Sequence, residues 1–124
     1  MATIIHFDIS ADDQIRAKEF YEKLFDWKFN LLPGPTNYYL IETEDLEGKT
    51  GIGGGMAKRE NSQQAGITNF IGVASIDDST KKVKELGGMI IKPKQILPGW
   101  GFLTLCTDPE NNLFGLFQEN KNAK

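Results

Sequence analysis

The sequence is poor in the residues that most often carry chemistry. Its 124 residues include one cysteine, Cys106, and one histidine, His6. A single cysteine excludes an intrachain disulfide, which fits a reducing, cytoplasmic setting. A nucleophilic Cys106 would need an activating histidine or helix N-terminus, and no local motif supplies one, so a small buried strand residue is expected there. No block of five or more basic residues occurs and the net charge is −3, so nucleic acid is not expected as a partner. No apolar run approaches the ~18 residues of a membrane span. The opening Met1-Ala2-Thr3-Ile4-Ile5-His6 lacks the basic leader of a signal peptide. No membrane partner is expected.

What is present suits one compact soluble domain: 40% hydrophobic and 25% charged residues. Residues 4–9 alternate, with Ile5, Phe7 and Ile9 on one side and His6 and Asp8 on the other, the mark of a half-buried strand. The stretch SADDQIRAKEFYEKLFDW reads as a helix near residues 12–25, capped by Ser10 or Asp12, with Ile15, Phe20, Tyr21, Leu24 and Phe25 as its apolar face. WKFNLL, NYYLIET and GIGGGMAK read as strands, and ENSQQAG as a polar linker. The order then recurs: NFIGVA as a strand, SIDDSTKKVKELGG as a helix near 77–86 with Ser75 or Asp77 at its start, then MIIKPKQI, WGFLTLCT and NNLFGLFQ as strands. Leu97-Pro98-Gly99 repeats Leu32-Pro33-Gly34, 65 residues earlier, and Phe70 follows Phe7 by 63. The expectation is α+β: two βαβββ modules, residues 1–60 and 66–124, forming a curved mixed sheet around a cleft with the helices outside.

IIHFDISADDQIRAKEFYEKLFDWKF and the later DPENNLFGLFQ resemble the glyoxalase/bleomycin-resistance/extradiol-dioxygenase family, the vicinal oxygen chelate superfamily, over nearly the whole chain. That resemblance implies a divalent metal held in the cleft by four strand residues, usually His and Glu. Transferred one at a time, the first position falls on His6. The second falls near Gly54 or Gly55, the third near Thr68 or Asn69, and the fourth on Gly115. One imidazole with no aligned carboxylate cannot hold zinc, nickel or iron tightly. Asp8, two residues from His6, could assist, but no metal and no other cofactor is expected. Gly115, inside the apolar run Leu113-Phe114-Gly115-Leu116-Phe117, then marks a vacant ligand position, where an added side chain should fall into open space.

Gly48-Lys49-Thr50 invites a phosphate-loop reading. Glu44, Asp45 and Glu47 in the loop before it would repel phosphate, and no helix pattern follows. Trp100 stands at the entrance to the seventh strand, as a ligand platform or as core. Trp27 should pack beneath the first helix. Arg59 could meet an anionic ligand or lie on the surface.

Two function classes follow from the resemblance. One is a binder of a small organic molecule in a cleft lined by His6, Asp8, Met56, Trp100 and the bare backbone at Gly115, without the family metal, as in the superfamily's antibiotic-sequestering members. The other is a lyase or isomerase of the glyoxalase-related group working without a metal, with His6 and Asp8 as the catalytic pair, the alternative being a metal-dependent lyase, isomerase or dioxygenase of the family. The resemblance also implies a homodimer, in which aromatic-rich strands favour association.

Overall fold

The structure is a computed structural model that describes residues 1–60 and 66–124. The linker expected at ENSQQAG lies mostly outside the described residues. The elements are β1 (Ile4–Ala11), α1 (Gln14–Phe25), β2 (Lys28–Leu31), β3 (Tyr39–Glu42), β4 (Gly53–Lys58), β5 (Thr68–Gly72), α2 (Ile76–Glu85), β6 (Met89–Leu97), β7 (Gly101–Thr107) and β8 (Leu113–Glu119). The fold is α+β, built from two successive βαβββ runs. Among the described residues no helix is long and apolar enough to cross a membrane.

Residues 6–67 form one compact unit. Its strand order is β2-β3-β4-β1, with β1 parallel to β4 and the other pairs antiparallel. Ile9, Ala11, Ile41 and Met56 form its core, and α1 covers them through Ala17 and Tyr21. Trp27 stacks on Tyr21, with ring centroids 4.9 Å apart. The apolar face expected on α1 is therefore wider in sequence than in packing. Ile15, Phe20, Leu24 and Phe25 all remain more than half exposed. The cap also differs from expectation. β1 runs on through Ser10 to Ala11, and Asp12 pairs with Arg59 at 3.2 Å, so the cap is Asp13, whose Oδ1 accepts the Arg16 N–H at 3.0 Å.

Residues 1–5 and 68–124 form the other unit. Its strand order is β5-β8-β7-β6, with β5 parallel to β8. Ile76, Cys106 and Leu116 are its buried centre, with Val83 of α2 packed against them. Cys106 has no exposure, and burial pushes its thiol pKa up, which suits an inert core residue. Ser75 caps α2 by accepting the Asp78 N–H at 3.2 Å, and Asp77 and Asp78 complement the helix dipole. Pro93 is tolerated in β6 because this is an edge strand whose register shifts around it.

The internal repeat is most literal in two hairpin loops. Asp45 Oδ1 accepts the N–H groups of Glu47 and Lys49, both at 2.9 Å. Asp108 Oδ1 accepts those of Glu110 at 2.8 Å and Asn112 at 2.9 Å. The Gly48 and Asn111 N–H groups donate to the Asp45 and Asp108 carbonyls, both at 3.0 Å. Gly48 (φ 83°) and Asn111 (φ 66°) take the left-handed conformation that closes each turn. Gly48-Lys49 is thus half of a carboxylate-centred hairpin, not a phosphate cradle.

Candidate functional site

Strand alternation assigns the site. In β1, Phe7, Ile9 and Ala11 face α1, so His6, Asp8 and Ser10 take the open face. The register sets Asp8 beside Gly55 of β4, which in turn faces Leu40 of β3. Tyr38, one residue before β3, extends onto the same face and meets the β1 side chains.

Three polar groups converge there. Tyr38 O–H donates to Asp8 Oδ1 at 2.5 Å. His6 Nε2 lies 2.9 Å from the same oxygen and 3.0 Å from Tyr38 Oη. Tyr38 spends its only proton on Asp8, so His6 Nε2 must carry a hydrogen to face two oxygens. Burial pushes the Tyr38 pKa far above the usual phenol value, and the charge and hydrogen bond of Asp8 push it further. Tyr38 therefore remains a donor across the physiological range. His6 and Asp8 side chains keep 29% and 30% of their surface, so the group is reachable from solvent.

Gly55 makes this arrangement feasible. A Cβ there would overlap the Tyr38 hydroxyl and come within 2.8 Å of Asp8 Oδ1. The other unit has a matching site. Phe70 of β5 pairs with Gly115 of β8, and its ring covers the glycine. In each unit an aromatic ring of the first strand lies over a glycine of the fourth, Phe7 over Gly54 and Phe70 over Gly115, and residues 6–67 add the polar group over Gly55.

No family model matches the sequence. Two curated proteins, provisionally named glyoxylase CFP32 in Mycobacterium bovis and Mycobacterium tuberculosis, are each 28% identical over 116 residues. The match covers 92% of this chain but 44% of theirs, so the chain spans under half their length. A solved methylmalonyl-CoA epimerase in complex with methylmalonyl-CoA and NH4+ aligns over 100% of this chain and 99% of its own, with a TM-score of 0.73 at 14% identity. A Streptomyces coelicolor methylmalonyl-CoA epimerase variant in complex with 2-nitronate-propionyl-CoA aligns over 98% and 97%, with a TM-score of 0.72 at 15% identity. The solved epimerases share this chain's fold, and the two glyoxylase relatives are similar to it in sequence.

In a vicinal oxygen chelate protein the open strand face is where a metal would be expected, so the donor set decides whether one fits. Among the described residues no group of three or more His, Cys, Asp or Glu side chains converges to hold an ion. His6 and Asp8 are the only such side chains meeting at this site. Gly55 has no donor, and the space above it holds a protonated phenol. This set does not fit a tightly held divalent cation.

The sequence-derived site residues divide. His6 and Asp8 come together. Met56 does not join them: it has no exposure and lies in the core on the helix-facing side, so its expected place in the pocket lining is corrected. Its parity was unreadable because consecutive glycines conceal which side of β4 faces inward. Gly115 is also corrected. It is buried beneath the Phe70 ring, so no open space awaits a side chain. Trp100 is half exposed in the turn between β6 and β7. Arg59 is held by Ser10 and Asp12 rather than free for an anion. Tyr38 was missed. Its tyrosine-rich strand was visible, but which of Tyr38 and Tyr39 faced His6 depended on a register that sequence does not reveal.

Proposed function

We propose that the protein binds a small organic molecule on the open face of residues 6–67, at His6, Asp8 and Tyr38, without a divalent metal. One observation carries the reading. The Tyr38 hydroxyl stands over Gly55 and donates to Asp8, so the position that would supply a metal-binding side chain instead accommodates a phenol. The three groups form an acceptor and two donors held by one another, the kind of small polar set that orients a ligand. His6 is also placed to move a proton, since its Nε2–H already contacts a carboxylate. The likeness to epimerases keeps proton transfer as the chemistry this site would perform if it turns a substrate over. A metal-dependent lyase, isomerase or dioxygenase is disfavoured by the same donor set.

Native mass spectrometry of protein purified without a histidine tag tests the reading. The expected result is metal-free protein carrying, or accepting, an organic molecule of a few hundred daltons, with the added mass lost in Tyr38→Phe or Asp8→Asn. An adduct that survives both substitutions places the ligand elsewhere and overturns the reading.

A further inference from the structure

The charge on the open face narrows the ligand class. The argument rests on the binding reading above and adds which ligands the site accepts. Both hydrogen bonds to Asp8 fall on Oδ1. Oδ2 takes no hydrogen bond from any described residue, and the side chain keeps 30% of its surface. An exposed carboxylate oxygen with no donor of its own is an acceptor awaiting one.

The register then places the remaining charges of this face. Phe29 pairs with Ile41 on the core side, so Lys28 and Glu42, themselves register partners, lie on the open side. Lys28 thus faces Glu42, and Arg59 is engaged by Asp12 and Ser10. No strand residue of this face supplies a cation without an acid beside it. Residues 6–67 as a whole carry eleven acidic side chains against seven basic ones. A carboxylate or phosphate ligand would meet the Asp8 charge with only the His6 and Tyr38 donors nearby, both already turned to Asp8 Oδ1, whereas an ammonium would gain from both contact and field.

We infer that the site takes a small organic cation, an amine whose ammonium group donates to Asp8 Oδ2 beside the Tyr38 ring. This differs from the two solved epimerases described above, in complex with methylmalonyl-CoA and with 2-nitronate-propionyl-CoA. The ring adds a face for the cation or its hydrocarbon part.

His6 is the sole histidine, so its ring protons give an isolated NMR signal at the site. Titrations with benzylamine, benzyl alcohol and benzoate at neutral pH compare charge at nearly constant shape. The expected order of affinity is benzylamine, then benzyl alcohol, then benzoate, with at least about a tenfold gap between the first and last. Asp8→Asn, which preserves an acceptor for Tyr38, should close that gap. Benzoate binding as tightly as benzylamine overturns the inference, as does a gap that persists in Asp8→Asn. So does the absence of any shift with all three probes at millimolar concentration. The ranking is read on the unmodified protein, so it stands even if the variant folds poorly. A bound metal would announce itself separately, as a His6 signal changed by chelator before any probe is added.

Discussion

Replacing Gly115 with alanine puts a Cβ where the Phe70 ring lies. The added carbon would come within 2.9 Å of Phe70 Cγ and would overlap the Cδ1–Cε1 edge. Carbon atoms in good contact stand about 3.5–4.0 Å apart. Phe70 is 7% exposed, so it has little room to retreat. Forced overpacking of this kind costs about 1–3 kcal/mol. Alanine also restricts the unfolded chain, which returns about 0.4–1 kcal/mol. The net expectation is a loss of about 1–2 kcal/mol in urea or thermal melts. Phe70→Ala should cost about 3–5 kcal/mol by itself. In that background Gly115→Ala should become neutral or stabilising, giving a coupling of at least about 1 kcal/mol in the double-mutant cycle. A neutral single mutant, or strictly additive effects, would refute the claim that the glycine exists to seat this ring.

Gly55→Ala should expel the Tyr38 hydroxyl from Asp8 and cost about 1.5–3 kcal/mol, the range for a hydrogen bond to a charged group; urea melts check this, and a neutral effect would show the bond is dispensable. Tyr38 has a raised pKa in the fold, so its contribution is fully present below the ordinary phenol pKa of about 10 and is lost as pH rises above it, by up to about 1.4 kcal/mol per pH unit. Melts between pH 9 and 11 should therefore fall more steeply for the parent protein than for Tyr38→Phe. Asp108 has a lowered pKa, chiefly through its bond from the Asn112 side chain, so its contribution is present above the ordinary aspartate pKa and lost as pH falls through its lowered value. Asp108→Ala should accordingly destabilise at pH 7 and make little difference near pH 2, as read by thermal melts.

The elements were legible because periodicity and turn chemistry agree along this chain. Ile9, Ile41 and Ile76 lie in the cores, and both helices end within about two residues of where their patterns stop. Alternation in β1 gave His6 and Asp8 a common face directly from sequence. Glycines defeated the same logic elsewhere. Gly53-Gly54-Gly55 carries no side-chain parity, so Met56 was placed on the wrong face and Gly55 could not be told from Gly54. Gly115 looked like a gap because its cover, Phe70, lies 45 residues away in sequence and reaches it only through the parallel register. The Phe7–Phe70 correspondence misled in the same way. Phe7 covers Gly54 on the helix side, with its ring 5.5 Å from that of Trp27, whereas Phe70 covers Gly115 on the side opposite that on which Leu116 enters the core. Tyr38 could be placed on a cleft-flanking strand but not chosen over Tyr39, because strand register is a tertiary property.

The central proposal is that the open face of residues 6–67 binds its ligand without a metal. Elemental analysis tests it most directly, on protein expressed without a histidine tag in medium supplemented with zinc, nickel, iron and manganese, then dialysed against a chelator-free buffer. The account expects far less than one metal equivalent per chain, and no change in the His6 ring signals when each ion is added back at stoichiometric concentration. One tightly retained equivalent, lost together with the His6 signal change in Asp8→Asn, would contradict it.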